Sequence, residues 1–286
     1  MRILKYFIEY FIIINLFFLF KIIGFKKSSD LGEIIGKIFG PLFRNKKKII
    51  DNLAKANIGI DNKEREDIIN SMWGNYGRIL SEYPHLKDFR SSKLKQHISI
   101  NGKEILDDIV NSNKQVVFIS GHFSNFELMA MCIESGGVNL AAIYRPLNNL
   151  FLNSTMEKIR KNYICKKQIK KGRSGSRELI KLINNGYSVA LMIDQRVSEG
   201  IPIKFFSEDA LTTTIPAQLF KKYKLDIIPV DIKRYDSHDF KISFEKPFKF
   251  NEDDTIKNIT EKLNQKLENF IKKHPKQWIW THDRWK

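Results

Sequence analysis

The chain predicts an α/β protein: a mixed, largely parallel sheet flanked by helices, preceded by a membrane helix and a helical stretch. Three observations predict it. Short segments near 115–120, 139–144, 187–193, 226–233 and 240–245 read as strands, the first of them an apolar run typical of a buried one. Helical patterns near 149–163, 175–185 and 216–224 fall between them, and alternating β and α segments build a layered sheet with parallel strands. The chain also opens on a long apolar segment that matches none of the later strands.

That opening segment, Ile3 to Phe25, suits a transmembrane helix, a span of about 20 residues. Lys5 and Lys21 lie near its ends, where lysines snorkel to the interface. Glu9 is less at home in a span, and a helix lying in the interface is the alternative it leaves open. A cleaved signal peptide is disfavoured, because the run is long and no small-x-small cleavage site follows. Lys26, Lys27, Arg44, Lys46, Lys47 and Lys48 come next, which by the positive-inside rule puts the bulk of the protein in the cytoplasm. Residues 28–112 read as mostly helical. Ile34, Ile35, Ile38 and Phe39 form one apolar stripe, and Ile68, Ile69, Met72, Trp73, Tyr76, Ile79 and Leu80 form another. Pro216 sits near the first turn of its helix. A last amphipathic helix spans about 254–272, with Ile256, Ile259, Leu263, Leu267, Phe270 and Ile271 on one side. The expected division is an anchor at 1–25, a helical region at 26–112 and an α/β core at 113–286.

The net charge of +17 makes the surface strongly basic. Anionic lipid, a phosphorylated substrate, an acidic carrier protein and nucleic acid are the partner classes this allows. No zinc finger, glycine-rich phosphate loop or other nucleic-acid motif is present, so nucleic acid is set aside. Two cysteines, Cys132 and Cys165, give neither a disulfide framework nor metal-ligand spacing.

The chemistry concentrates in Gly121-His122-Phe123-Ser124-Asn125-Phe126-Glu127, between a strand and a helix. A neutral imidazole at such a mouth can take a hydroxyl proton, and a carboxylate on its other nitrogen fixes the tautomer. On one ideal helix, residues five apart point roughly 140° away from each other. His122 and Glu127 therefore face each other only if the histidine precedes the helix. Ser124-x-x-Glu127 matches a capping box that starts the helix at Ser124. Taken alone, the same residues describe a cap beside a turn histidine.

Three further segments sit beyond strand ends, where sites in such sheets gather. Arg145, in Tyr144-Arg145-Pro146, can grip phosphate or stabilise developing negative charge, or form a surface salt bridge. Asp194-Gln195-Arg196 places polar groups at the end of an apolar strand, with Asp194 expected to position Arg145 or an acceptor hydroxyl. Phe205-Phe206 could line an acyl slot, but ordinary core is the expectation for this pair.

Together these segments resemble the bacterial lipid A late acyltransferases, the lauroyl and myristoyl transferases. The resemblance runs from the apolar N-terminus through Trp73-Gly74-Asn75-Tyr76-Gly77-Arg78, the His-x4-Glu string, Tyr144-Arg145-Pro146, Asp194-Gln195 and Thr212-Thr213-Thr214. It closes on Pro275-Lys276-Gln277-Trp278-Ile279-Trp280-Thr281-His282-Asp283-Arg284. Phe126 stands where many relatives have tryptophan. The resemblance implies a glycerolipid-acyltransferase-like fold and a metal-free, cofactor-free O-acyl transfer at the inner membrane, on its cytoplasmic side. His122 would act as base and Glu127 would orient it, with Asn125, Arg145, Asp194 and Gln195 as candidate substrate contacts. The implied donor is an acyl–acyl carrier protein (or acyl-CoA), and the implied acceptor a phosphorylated glycolipid. Lys166, Lys167, Lys170, Lys171 and Arg173 form the densest basic run for them. Transfer to another glycolipid or to a glycerol phosphate lipid, a membrane-anchored thioesterase, and a membrane-docking module remain alternatives.

Overall fold

The computed structural model describes residues 2–286, the side chain of Arg173 excepted. In chain order the elements begin with helices α1 (Arg2–Ile23), α2 (Phe25–Phe39), α3 (Lys46–Lys55), α4 (Asn62–Glu82) and α5 (Leu86–Arg90). Then come β1 (Ile98–Asn101), α6 (Lys103–Asn111), β2 (Val116–Ser120), α7 (Glu127–Ser135), β3 (Leu140–Tyr144) and α8 (Leu150–Ile159). A π turn (Arg160–Ile164) continues α8 into β4 (Lys167–Lys170), α9 (Arg173–Asn184) and β5 (Ser188–Met192). The chain ends with β6 (Ile201–Phe205), β7 (Glu208–Thr212), α10 (Ile215–Tyr223), β8 (Asp226–Tyr235), β9 (Asp239–Phe244) and α11 (Ile256–Lys273).

Seven strands form one sheet in the order β1-β9-β8-β2-β5-β3-β4. Every neighbouring pair is parallel except β8 with β9. The fold class is therefore the one the alternation predicts. Every residue of β2 is buried, as a strand covered on both faces requires. The face of α11 carrying Ile259, Leu263, Leu267, Phe270 and Ile271 is buried with it in the core.

Several elements differ from the sequence expectation. β1 lies within the stretch read as helical, and it joins the sheet as its edge beside β9. β4 and the separate β6–β7 hairpin were not anticipated; they are short, and β6 contains Pro202. The stripe Ile34, Ile38 and Phe39 faces outward rather than into the core. α2 buries Ser28, Ser29 and Gly32 instead, against α4. The two helices touch through glycines. A Cβ on Gly77 would lie 1.8 Å from the Gly32 carbonyl oxygen, and one on Gly36 would lie 2.2 Å from that of Trp73.

α1 is long and apolar enough to cross a membrane. Phe17 and Phe20 are buried in the domain, and Tyr6 and Glu9 accept hydrogen bonds from the Asn149 amide at 2.8 and 3.1 Å. Its outer side leaves Ile3, Leu4, Phe7, Phe11, Phe18 and Ile22 exposed.

After α11 the chain threads the whole molecule. Phe123 and Trp278 form an antiparallel bridge. Asn52 on α3 donates to the carbonyls of Trp280 and His282, both at 2.8 Å. Arg284 reaches Leu211 O and Thr212 Oγ1 on β7 at 2.8 and 2.7 Å. The closing motif is thus a strap joining the helical region, the hairpin and the His122 loop.

Candidate active site

β2 and β5 are adjacent and in register, with Ser120 opposite Met192. His122 and Asp194 each lie two residues further on, so they emerge side by side. The Ile193 N–H donates to Ser120 O at 2.9 Å and extends the pairing. Asp194 is fully buried. Its Oδ1 lies 2.7 Å from His122 Nδ1, and its Oδ2 accepts the His122 backbone N–H at 2.8 Å and Trp278 Nε1–H at 2.9 Å. Burial alone would raise this carboxyl. The His122 charge and these hydrogen bonds overcome it and hold the pKa below the usual Asp value. An ionised Asp194 on Nδ1 requires Nδ1 to carry the proton, which leaves the Nε2 lone pair free as a base. Phe126 packs edge-on against the imidazole, ring centroids 4.7 Å apart.

Asp194, and not Glu127, is therefore the carboxylate on the imidazole. Glu127 is occupied elsewhere: its Oε1 accepts from Arg160 Nε and Nη2 at 2.9 and 2.7 Å and from the Tyr83 hydroxyl. Tyr83 is buried; burial first, and then Glu127, push its pKa well up, so it stays a donor. Arg160 Nη1 is buried and has no hydrogen-bond partner among the described residues. The expected capping box is also absent. The helix starts at Glu127 with no side-chain cap, and Ser124 takes a left-handed φ of 46°. The Ser124 N–H donates to Gln277 O at 3.2 Å, so pairing with the C-terminal strap shapes this loop.

His122, Glu127 and Arg160 line one cavity of about 430 Å³. Met129, Ala130, Ile143, Ile164 and Leu191 give it apolar wall, while Arg145, Lys171, Gln195 and Arg196 add polar groups. An alkyl chain and a polar head can share such a space.

Residues 1–286 match the family model of bacterial lipid A biosynthesis acyltransferases. The chain belongs to this family. It is 21% identical over 255 residues to the lipid A biosynthesis myristoyltransferase of Escherichia coli (strain K12), covering 86% of this chain and 77% of that protein. It is 25% identical over 264 residues to lipid A biosynthesis acyltransferase 2 of Shigella flexneri, covering 86% and 80%. Among solved structures, the 1-acyl-sn-glycerophosphate (LPA) acyltransferase PlsC from Thermotoga maritima aligns with a TM-score of 0.40 and 12% identity, over 89% of this chain and 99% of that one.

The remaining candidate residues divide. Arg145 and Gln195 line the His122 cavity. Asp194 serves His122 rather than Arg145, because β2 and not β3 supplies the side chain it meets. Asn125 is not a cavity residue: it is buried, and its amide donates to Glu82 Oε2 at 2.9 Å. Glu82 is in turn held by Arg234 at 2.7 and 3.0 Å, so Asn125 ties the loop to α4 and β8. Phe205 is fully buried against Trp285 and Arg284 and belongs to the core. Of the basic run, Lys171 faces the cavity and Lys170 pairs with Glu157 at 3.1 Å. The run's last member, Arg173, has its side chain outside the described residues.

The Glu127 and Asp194 side chains also meet residues not expected at the site from sequence, Arg160 and Tyr83 on Glu127, and Trp278 of the closing motif on Asp194. Arg160 begins a π turn, a feature that often marks functional sites. Nothing in Ile159-Arg160-Lys161-Asn162 distinguishes it from other basic positions. The available signal was indirect: a buried Glu127 needs a cation, and a buried Asp194 needs several donors.

Proposed function

We propose that this protein moves a fatty acyl chain from the thioester of an acyl–acyl carrier protein, or acyl-CoA, to a hydroxyl of a phosphorylated lipid A precursor, forming an O-acyl ester on a secondary chain. The observation that carries the reading is the His122–Asp194 pair, with Nε2 free, at the edge of a cavity that is both apolar and cationic.

His122 Nε2 removes the hydroxyl proton, and Asp194 stabilises the imidazolium that forms. The oxygen attacks the thioester carbonyl carbon, the C–O bond forms, and the carbonyl electrons move onto oxygen. Collapse of this intermediate breaks the C–S bond, and the thiolate takes the proton back from Nε2. Donors are needed for the oxyanion. Arg160 lines the same cavity, its Nη1 has no hydrogen-bond partner among the described residues, and Glu127 with Tyr83 fixes its guanidinium, so it is suited to that task. Glu127 thus keeps a place in catalysis, through Arg160. Arg145 and Gln195 contact substrate from the strand ends. α1, apolar on its outer side, anchors the enzyme at the inner membrane, with the basic residues after it keeping the core on the cytoplasmic side.

The test is acyl transfer by the detergent-solubilised protein, supplied with acyl–acyl carrier protein and a phosphorylated acyl-disaccharide, with products weighed by mass spectrometry. The reading expects an acceptor heavier by one acyl ester, and little thioester consumption without acceptor. Free fatty acid released at the same rate with or without acceptor would show a hydrolase instead.

A further inference from the structure

A second cavity, about 580 Å³, opens beside the His122 groove and shares Arg145, Lys171 and Arg196 with it. Its chemistry is different. The groove runs past apolar side chains, whereas this annex adds Lys286, His282 and two carboxylates, Glu199 and Asp283. Asp283 is already ion-paired with Lys48. Arg145 and Lys171 have no carboxylate partner among the described residues, whereas neighbouring Lys170 does.

The three cations come from separate strand ends, and main-chain contacts hold two of those segments together. The Lys171 N–H donates to Tyr144 O at 2.9 Å, which sets Lys171 beside Arg145. The Arg196 N–H donates to His282 Nε2 at 2.9 Å, and its side-chain Nε donates to Lys286 O at 2.9 Å. With Nε occupied, both terminal nitrogens of the Arg196 guanidinium are left for a ligand. Burial lowers the Lys171 pKa; Glu199 opposes the shift, and the Arg145 charge adds a smaller push in the same direction as burial. His282 adds no positive charge, since burial lowers its pKa to about 4. Like charges crowded at one place in this way are relieved by a bound anion, and arginine forks match phosphate oxygens.

We propose that this annex is a phosphate-binding subsite that seats a substrate phosphate while the acyl groups lie in the adjoining groove, a proposal that rests on the acyl-transfer reading. Two substrates carry such a group: the phosphorylated sugar acceptor, and the phosphopantetheine arm of the thioester donor. The recognition chemistry is the same for both.

The test compares wild type with Lys171→Ala/Arg196→Ala, and with Lys171→Gln as a milder variant. Binding is measured by titration calorimetry in detergent, for a phosphorylated acyl-disaccharide and its dephosphorylated form, and for acyl-phosphopantetheine and acyl-pantetheine. The site predicts that the double variant weakens the phosphate-bearing ligand about 10- to 100-fold, as expected for losing charge-assisted hydrogen bonds. Lys171→Gln should weaken it less, and the dephosphorylated form should bind wild type and variants alike. A loss confined to the disaccharide pair makes the acceptor the source of the phosphate. A loss confined to the pantetheine pair makes it the donor. Equal binding by wild type and variants, or equal losses for phosphorylated and dephosphorylated ligands, overturns the subsite. Because binding is read without turnover, failure of acyl transfer would sink the proposed reaction and leave this result to be judged by itself.

Discussion

At the scale of single residues, the site depends on two groups whose ionisation the fold has moved. Asp194 has a lowered pKa, so it contributes stability that is present above the unfolded value of about 3.9 and is lost as pH falls through the folded value. Asp194→Asn lacks that contribution. Chemical denaturation should therefore show the largest stability gap between wild type and Asp194→Asn near pH 7, closing below about pH 4. His282 behaves in the opposite sense. Burial lowers its pKa to about 4, so below about pH 6.5 the unfolded chain takes up a proton that the folded one refuses. Stability should fall as pH drops from about 6.5 toward 4, and His282→Gln should flatten that part of the curve. The Glu127–Arg160 pair makes a kinetic prediction. Arg160→Lys keeps the charge but loses the fork that grips Oε1 twice, so turnover should fall at least tenfold while thioester binding changes little.

At the scale of elements, α2 and α4 pack by backbone contact that leaves no room for a side chain. Gly77→Ala would put a methyl group 1.8 Å from Gly32 O, so the helices must separate. Thermal unfolding in detergent should show a loss of about 1–3 kcal/mol or more, as for overpacked interiors. The same pair of helices shows why the sequence was only partly legible. Ile34, Ile38 and Phe39 follow a helical period, but a period cannot say whether its apolar face meets protein or something outside it. The strands of five or more residues in the main sheet, β2, β3, β5, β8 and β9, were readable within a residue or two. β1 and β4 were not, because strands of four residues at sheet edges carry too little pattern. At the site, Asp194 was legible as a polar residue at a strand end. Its partner was not, because strand order is a tertiary property: only β5 lying directly beside β2 sets Asp194 against His122. Arg160 was hidden for the same reason, and Trp278, visible in the closing motif, could not be assigned to Asp194, since each reaches the site from a distant part of the chain.

At the scale of the whole molecule, α1 and the C-terminal strap both pack on the domain that carries the His122 groove and its annex. α1 is packed on the domain through Phe17 and Phe20 and exposed on its other side, so removing residues 2–23 should both release protein from membranes and lower its unfolding temperature. Fractionation and thermal unfolding of the truncated chain check the two effects together. A protease-protection assay checks sidedness, and a core shielded from cytoplasmic protease would contradict the proposed orientation. The central claim is that the sheet, by pairing β2 with β5, builds the catalytic base from residues 72 positions apart. The most direct measurement is the initial rate of acyl transfer by Asp194→Asn, compared with wild type, His122→Ala and Glu127→Gln in the same assay. The account predicts that Asp194→Asn falls by about 10²–10⁴-fold, into the range of His122→Ala, with substrate binding retained. Near-wild-type turnover by Asp194→Asn, with Glu127→Gln inactive, would contradict it and return the orienting role to Glu127.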